Sequence, residues 1–159
     1  MKGRFLLTAL RGVLAVTLVA SSCGCSGSAP ESATASWVGS SDDFLARWNS
    51  IVGKPYQIES LPKGTTVLFT NGRMTSGGDM FIADTRDPSL FLPLCVNTVR
   101  SALGLSKDVA TAVTKDALSR VNSDPGMPGY GLASFQGYVV AISVGTTPVF
   151  MSCTVNPSR

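Results

Sequence analysis

A chain of 159 residues, 44% hydrophobic and 14% charged, has the length of one domain and is too apolar for a disordered protein. Its net charge of +3 comes from the N-terminus: Lys2, Arg4 and Arg11 precede Cys23, and the chain beyond that cysteine is formally neutral. A neutral domain lacks the basic footprint of a nucleic-acid binder, and the absence of any histidine excludes Ser-His-Asp and Cys-His catalysis and the common zinc-hydrolase sites.

Residues 1–22 read as a signal peptide, with Lys2 and Arg4 as the basic start and an apolar core ending at Ala20. The apolar stretch from Phe5 is interrupted by Arg11 and is shorter than the roughly 20 residues a membrane span needs. Val19-Ala20-Ser21-Ser22-Cys23 resembles the lipobox of bacterial lipoproteins, although Ala20 and Ser22 stand where that family more often has Leu and then Gly or Ala. The resemblance implies acylation of Cys23 (palmitate-type chains), cleavage before it, and a lipid anchor facing the periplasm or cell exterior. In an organism with an outer membrane, the family's sorting rule implies retention there. Cys25, after Gly24, offers a second register, and Ala33-Thr34-Ala35 an ordinary secretory cleavage site beyond the apolar core. Residues 23–39 are mostly Gly, Ser, Ala, Thr and Pro and are expected to form a flexible tether to a domain spanning 40–159.

In that domain, Ser40 or Ser41 with Asp42 and Asp43 opens a helix carrying Phe44, Leu45, Trp48, Ile51 and Val52 on one stripe, stopped by Gly53 and Pro55. Strands are predicted over 56–61, 65–70, 73–76 and 79–83, with Asn71-Gly72 as a hairpin turn. Asp87-Pro88 starts a second helix, irregular to Pro93 and then regular to Leu103 with Gly104 as its cap. Ser106 caps a third, bearing Val109, Val113, Ala117, Leu118 and Val121. Residues 124–131 read as a loop, 132–135 as a short strand, and 138–144 with 149–155 as a closing hairpin. The order implies an α+β fold: a single antiparallel sheet, meander plus C-terminal hairpin, with helices packed on one face.

Of the four cysteines, Cys95 and Cys153 are the natural disulfide in an oxidising compartment. Buried free thiols, or a bridge from Cys25, are the alternatives. No Walker loop, G-x-S-x-G elbow, EF-hand or complete dinucleotide fingerprint is present; Gly129-Tyr130-Gly131 lacks the third glycine. Asp42 and Asp43 are explained by capping, and Asp84, Arg86 and Asp87 by capping and solvated charge in a turn. No catalytic residue, metal ligand or cofactor site is therefore assigned.

The expected function is a membrane-anchored, non-catalytic interaction module of the bacterial envelope, of inhibitor or immunity type, that contacts the membrane through acyl chains and another envelope or exported protein through its domain. Residues 124–131 or 71–78 are its candidate contact regions. The alternatives are a small-ligand or lipid carrier with a pocket lined by Phe69, Phe81, Phe91 and Phe150, and a histidine-independent envelope hydrolase.

Overall fold

The computed structural model describes residues 33–61, 66–69, 72–77, 79–147 and 149–159. The expected signal peptide (residues 1–22), Cys23 and Cys25 lie outside the described residues, as do Asn71 and Gly78.

The described elements run α1 (Ser41–Ile51), β1 (Thr66–Phe69), β2 (Gly72–Gly77), β3 (Met80–Thr85), α2 (Pro88–Leu103), α3 (Lys107–Ser119), β4 (Tyr130–Phe135), β5 (Tyr138–Thr146) and β6 (Val149–Pro157). The strands form one antiparallel sheet in the order β1-β2-β3-β6-β5-β4, with the helices packed against it. This is the α+β architecture predicted from the order of elements.

Each helix starts where its sequence provides a cap. Ser40 Oγ accepts the Asp43 N–H at 3.1 Å, Asp87 accepts the Ser89 N–H ahead of Pro88, and Ser106 accepts the Val109 N–H. The second helix is continuous: Pro93 sits inside it on an exposed position, where one missing backbone bond leaves no buried carbonyl behind. It ends at Gly104, whose φ of 63° is the left-handed conformation that glycine adopts without strain.

Strand register divides the sheet into two unlike faces. On the helix side lie Met74, Ala83, Cys153 and Ile142 in one row and Phe81, Val155, Val140 and Ala133 in the next, all buried. Against them pack Phe44, Trp48, Phe91, Val99, Leu103 and Ala117. Phe44 stacks on Phe81 with centroids 4.1 Å apart. Each such fully buried large side chain contributes roughly 2–3 kcal/mol. Cys95 of α2 meets Cys153 of β6 with 5.4 Å between Cα atoms, the predicted disulfide partner, tying the central helix to the central strand.

Besides the continuity of α2 through Pro93, larger departures from the expectations of the sequence occur in three segments. Residues 56–61 form no strand. The side-chain amide of Asn49 takes both backbone groups of Ile58, donating to its carbonyl at 2.8 Å and accepting its N–H at 3.0 Å, while Ile58 and Leu61 enter the core. An extended segment satisfied by a helix side chain needs no strand partner. In the first hairpin Gly72, expected in the turn, belongs to β2 and pairs with Phe69. Finally, the stretch from Ala33 to Gly39, expected as the end of the tether, belongs to the fold. Ser36 and Val38 donate their N–H groups to the carbonyls of Leu103 and Ala102, Val38 is buried, and Trp37 stacks on Tyr138. Its small residues hid two apolar anchors.

Candidate functional site

The sheet face turned away from the helices carries two rows that cross all six strands. One is Leu68, Arg73, Asp84, Ser152, Ser143 and Tyr130; the other is Thr66, Thr75, Ile82, Thr154, Ala141 and Leu132. Arg73 and Asp84 are the only charged residues in these rows. Of the five large hydrophobic side chains that are exposed among the described residues, Leu68, Met80 and Leu132 lie on this face. Leu68 is the extreme, 77% exposed.

At one end of this face a cleft of about 560 Å³ opens between Leu68, Arg73, Asp84, Arg86, Asp87 and Phe150. A hairpin closing on Gly77 and Met80 sets Arg73 opposite Asp84. The Arg73 Nε–H donates to Asp84 Oδ1 at 2.5 Å, and the guanidinium carbon lies 5.9 Å from the centroid of the Phe150 ring. Asp84 is 7% exposed, while the Arg73 side chain is about half exposed. Burial pushes the Asp84 carboxyl above its ordinary 3.8, and the hydrogen bond and charge of Arg73 only partly oppose this.

The three charged residues expected from sequence as one solvated cluster thus have separate fates. Asp84 is buried on β3 and paired with Arg73, which sequence reasoning did not single out. Asp87 caps α2, with Oδ1 accepting from the Ser89 N–H and hydroxyl. Arg86 is exposed in the cleft. The signal for Arg73 was present, since any hairpin centred on residues 78 and 79 brings 73 and 84 together. Burial of Asp84 was not legible, because alternation in β3 places it on the face turned away from the helices.

A second, apolar cleft of about 250 Å³ lies beside α1, lined by Trp48, Ile51, Val52, Phe69, Leu90 and Asn97. The four phenylalanines expected to line one carrier pocket are dispersed. Phe81 and Phe91 are core residues at 3% and 1% exposure, Phe69 borders this apolar cleft, and Phe150 borders the charged one. Stacking on Phe44 holds Phe81 in the core.

Gly129 and Gly131 serve packing. The Gly129 N–H donates to Asn122 Oδ1, its carbonyl accepts from Val144, and its φ is 77°. A Cβ on Gly131 would stand 2.2 Å from the Ala117 carbonyl, so the glycine lets α3 approach β4. Residues 124–128 remain an exposed loop, as expected, while Tyr130 and Gly131 open β4.

The charged cleft and the N-terminal entry lie at opposite ends of the strands. The Gln136 side chain, in the β4–β5 turn, accepts the Ala35 N–H at 2.7 Å and donates to the Ala33 carbonyl at 3.1 Å. From there β5 runs roughly 20 Å, at about 3.3 Å per residue, to Val144, which pairs with Met151 beside Phe150. Among the described residues, no three histidine, cysteine or acidic side chains gather to hold a metal ion, and no helix is long and apolar enough to cross a membrane. Comparison with protein families, with curated proteins and with solved structures finds no match for this chain.

Proposed function

We propose that this chain is an exported bacterial lipoprotein, anchored through acyl chains on Cys23, whose domain is a protein-interaction module of the cell envelope. The observation that carries the interaction reading is the sheet face turned away from the helices, which holds three of the five large hydrophobics exposed among the described residues and, in its two central rows, a single, internally paired set of charges. Protein-binding surfaces are depleted of charge at their centre, and a solvated sheet face more often carries scattered Lys and Glu.

The anchor reading rests on the lipobox-like run and is supported by the pairing of Cys95 with Cys153, since disulfides persist in oxidising compartments. The entry of the chain by Gln136 also suits it, because an anchor on that side leaves the cleft directed away from the lipid. An inhibitor or immunity protein would use such a surface. Carriage of an apolar small ligand would fall to the apolar cleft beside Trp48, and about 250 Å³ is below the usual range of ligand pockets.

Two measurements test the proposal. Intact mass of the membrane-fraction protein should match a chain beginning at Cys23 plus acyl groups, with the acyl mass lost in Cys23→Ala; a soluble, unacylated product starting near Ser36 would remove the anchor. Photo-crosslinking from positions 75 and 132 in living cells should yield one discrete adduct that position 115, on α3, does not. Equal, diffuse labelling from all three would remove the interaction face.

A further inference from the structure

The charged cleft holds a guanidinium that is positioned yet largely unused. Arg73 commits only its Nε–H to Asp84, and its Nη1 and Nη2 make no hydrogen bond among the described residues. A guanidinium has five N–H donors in a fixed plane, and the paired Nη groups match the two oxygens of a carboxylate. The Phe150 ring on one side and the buried Asp84 behind it restrict how that plane can turn. Arg86, exposed in the same cleft, makes no hydrogen bond or ion pair among the described residues. The second carboxylate, Asp87, has Oδ1 occupied by the Ser89 N–H and hydroxyl.

We infer that this cleft recognises a carboxylate carried by the partner protein next to an apolar side chain: Arg73 takes the two oxygens through its Nη groups, Arg86 adds a second cation, and Leu68 with Phe150 covers the apolar part. This deepens the interaction-module reading and rests on it. Asp84 is a positioning residue, touching Arg73 and not the ligand. A singly charged group is favoured over a phosphate dianion because the two carboxylates already offset the two arginines, so the cleft has little net positive charge to offer. The exposed Leu68 side chain has no counterpart in the recognition of a bare inorganic anion.

The test uses the full-length protein, ¹⁵N-labelled and solubilised in detergent, titrated with N-acetylphenylalanine, with its uncharged amide, and with phenyl phosphate. N-acetylphenylalanine should shift the Arg73 Nε–H and the amides of Thr85, Arg86 and Phe150 saturably, at least about tenfold more tightly than the amide. Arg73→Lys keeps the charge and loses the fork, so it should weaken binding about tenfold, as should Arg86→Ala to a smaller degree. Asp84→Asn should weaken binding and broaden the Arg73 Nε–H resonance, a signature that a purely structural role would not produce. Equal binding of acid and amide, unchanged binding in Arg73→Lys, or shifts spread over all surface cations would each overturn the inference. Tighter binding of phenyl phosphate than of the acid would overturn the choice of carboxylate. A crosslinked partner at position 132 with no N-acetylphenylalanine binding would sink this inference alone. Binding of N-acetylphenylalanine with no protein partner would support the cleft chemistry and sink the interaction-module reading.

Discussion

Gln136 and Ala35 are 101 residues apart in sequence, yet the Gln136 side chain holds the Ala35 N–H at 2.7 Å and reaches the Ala33 carbonyl with its other end. The amide group mimics a strand partner, closing the chain onto the domain at the turn between β4 and β5. Gln136 itself has a φ of 48°, unusual for a residue with a side chain. That turn therefore serves to grip the N-terminal segment as well as to reverse the chain.

Gln136→Ala should release this grip. Amide exchange at Ala35 and Ser36 should accelerate by an order of magnitude or more, while exchange in β5 and β6 stays unchanged. Global stability should fall by only about 1 kcal/mol, since both bonds are exposed. Unchanged protection at Ala35 would show that Trp37 and Val38 hold the segment without help.

Cys95 and Cys153 close a loop with a sequence separation of 58 across the central helix and strand. In the chain-entropy model such a bridge contributes roughly 4 kcal/mol, and measured values are commonly about 2–4 kcal/mol. Denaturant unfolding with and without reductant should differ by about that much, and the Cys95→Ala/Cys153→Ala variant should match the reduced protein. Identical midpoints under both conditions would mean that the native contacts alone hold α2 on β6.

Asp84 gives a pH signature of defined sign. Its folded-state pKa is raised by burial, despite Arg73, so between the ordinary 3.8 and the higher folded value the native state holds more protons than the unfolded chain. The stability contributed by this group therefore falls as pH rises through that window and is constant above it. Asp84→Asn should remove the effect, so the difference between variant and wild type shifts in the variant's favour as pH rises from 3.8 through the window. Unfolding free energies for both proteins at a series of pH values decide the matter, and an opposite slope would mean that Arg73 outweighs burial.

Gly131→Ala should be the most damaging single-methyl change in the sheet. The added carbon would meet the Ala117 carbonyl at 2.2 Å and the Val121 nitrogen at 2.7 Å, both backbone atoms that cannot rotate away. Either α3 or β4 must shift, costing about 2–4 kcal/mol, and the thermal midpoint should drop accordingly. Gly137→Ala, with nothing within 4 Å of its Cβ, meets only the strain of its positive φ and should cost less.

Helix starts and the strands of the closing hairpin were legible because each depends on nearby chemistry: Ser40, Asp87-Pro88 and Ser106 as caps, Gly104 as a stop, and β-rich runs in β5 and β6; the partner of Cys95 followed instead from which cysteines remain for an oxidising compartment to pair. The single-sheet architecture came from their order. The strand predicted over 56–61 failed for a tertiary reason, since Asn49 supplies the backbone partners that a neighbouring strand otherwise would. The N-terminal boundary failed similarly. Gly, Ser and Ala around Trp37 and Val38 give no periodic signal, and only the stacking on Tyr138 and the bonds to Leu103 and Ala102 show that the segment is folded.

The candidate site was half visible. Asp84, Arg86 and Asp87 stand close together in the chain, but which of them pairs, caps or remains free depends on the register of β2 against β3 and on the start of α2. Local propensities act over a few residues and are written in composition, capping residues and periodicity; these decided the helices and most strands, the lack of histidine chemistry and the N-terminal resemblance to a lipoprotein. The sheet face that no described helix covers, the burial of Asp84 and its pairing with Arg73 come from strand register and the packing around it, and only the tertiary structure decided those.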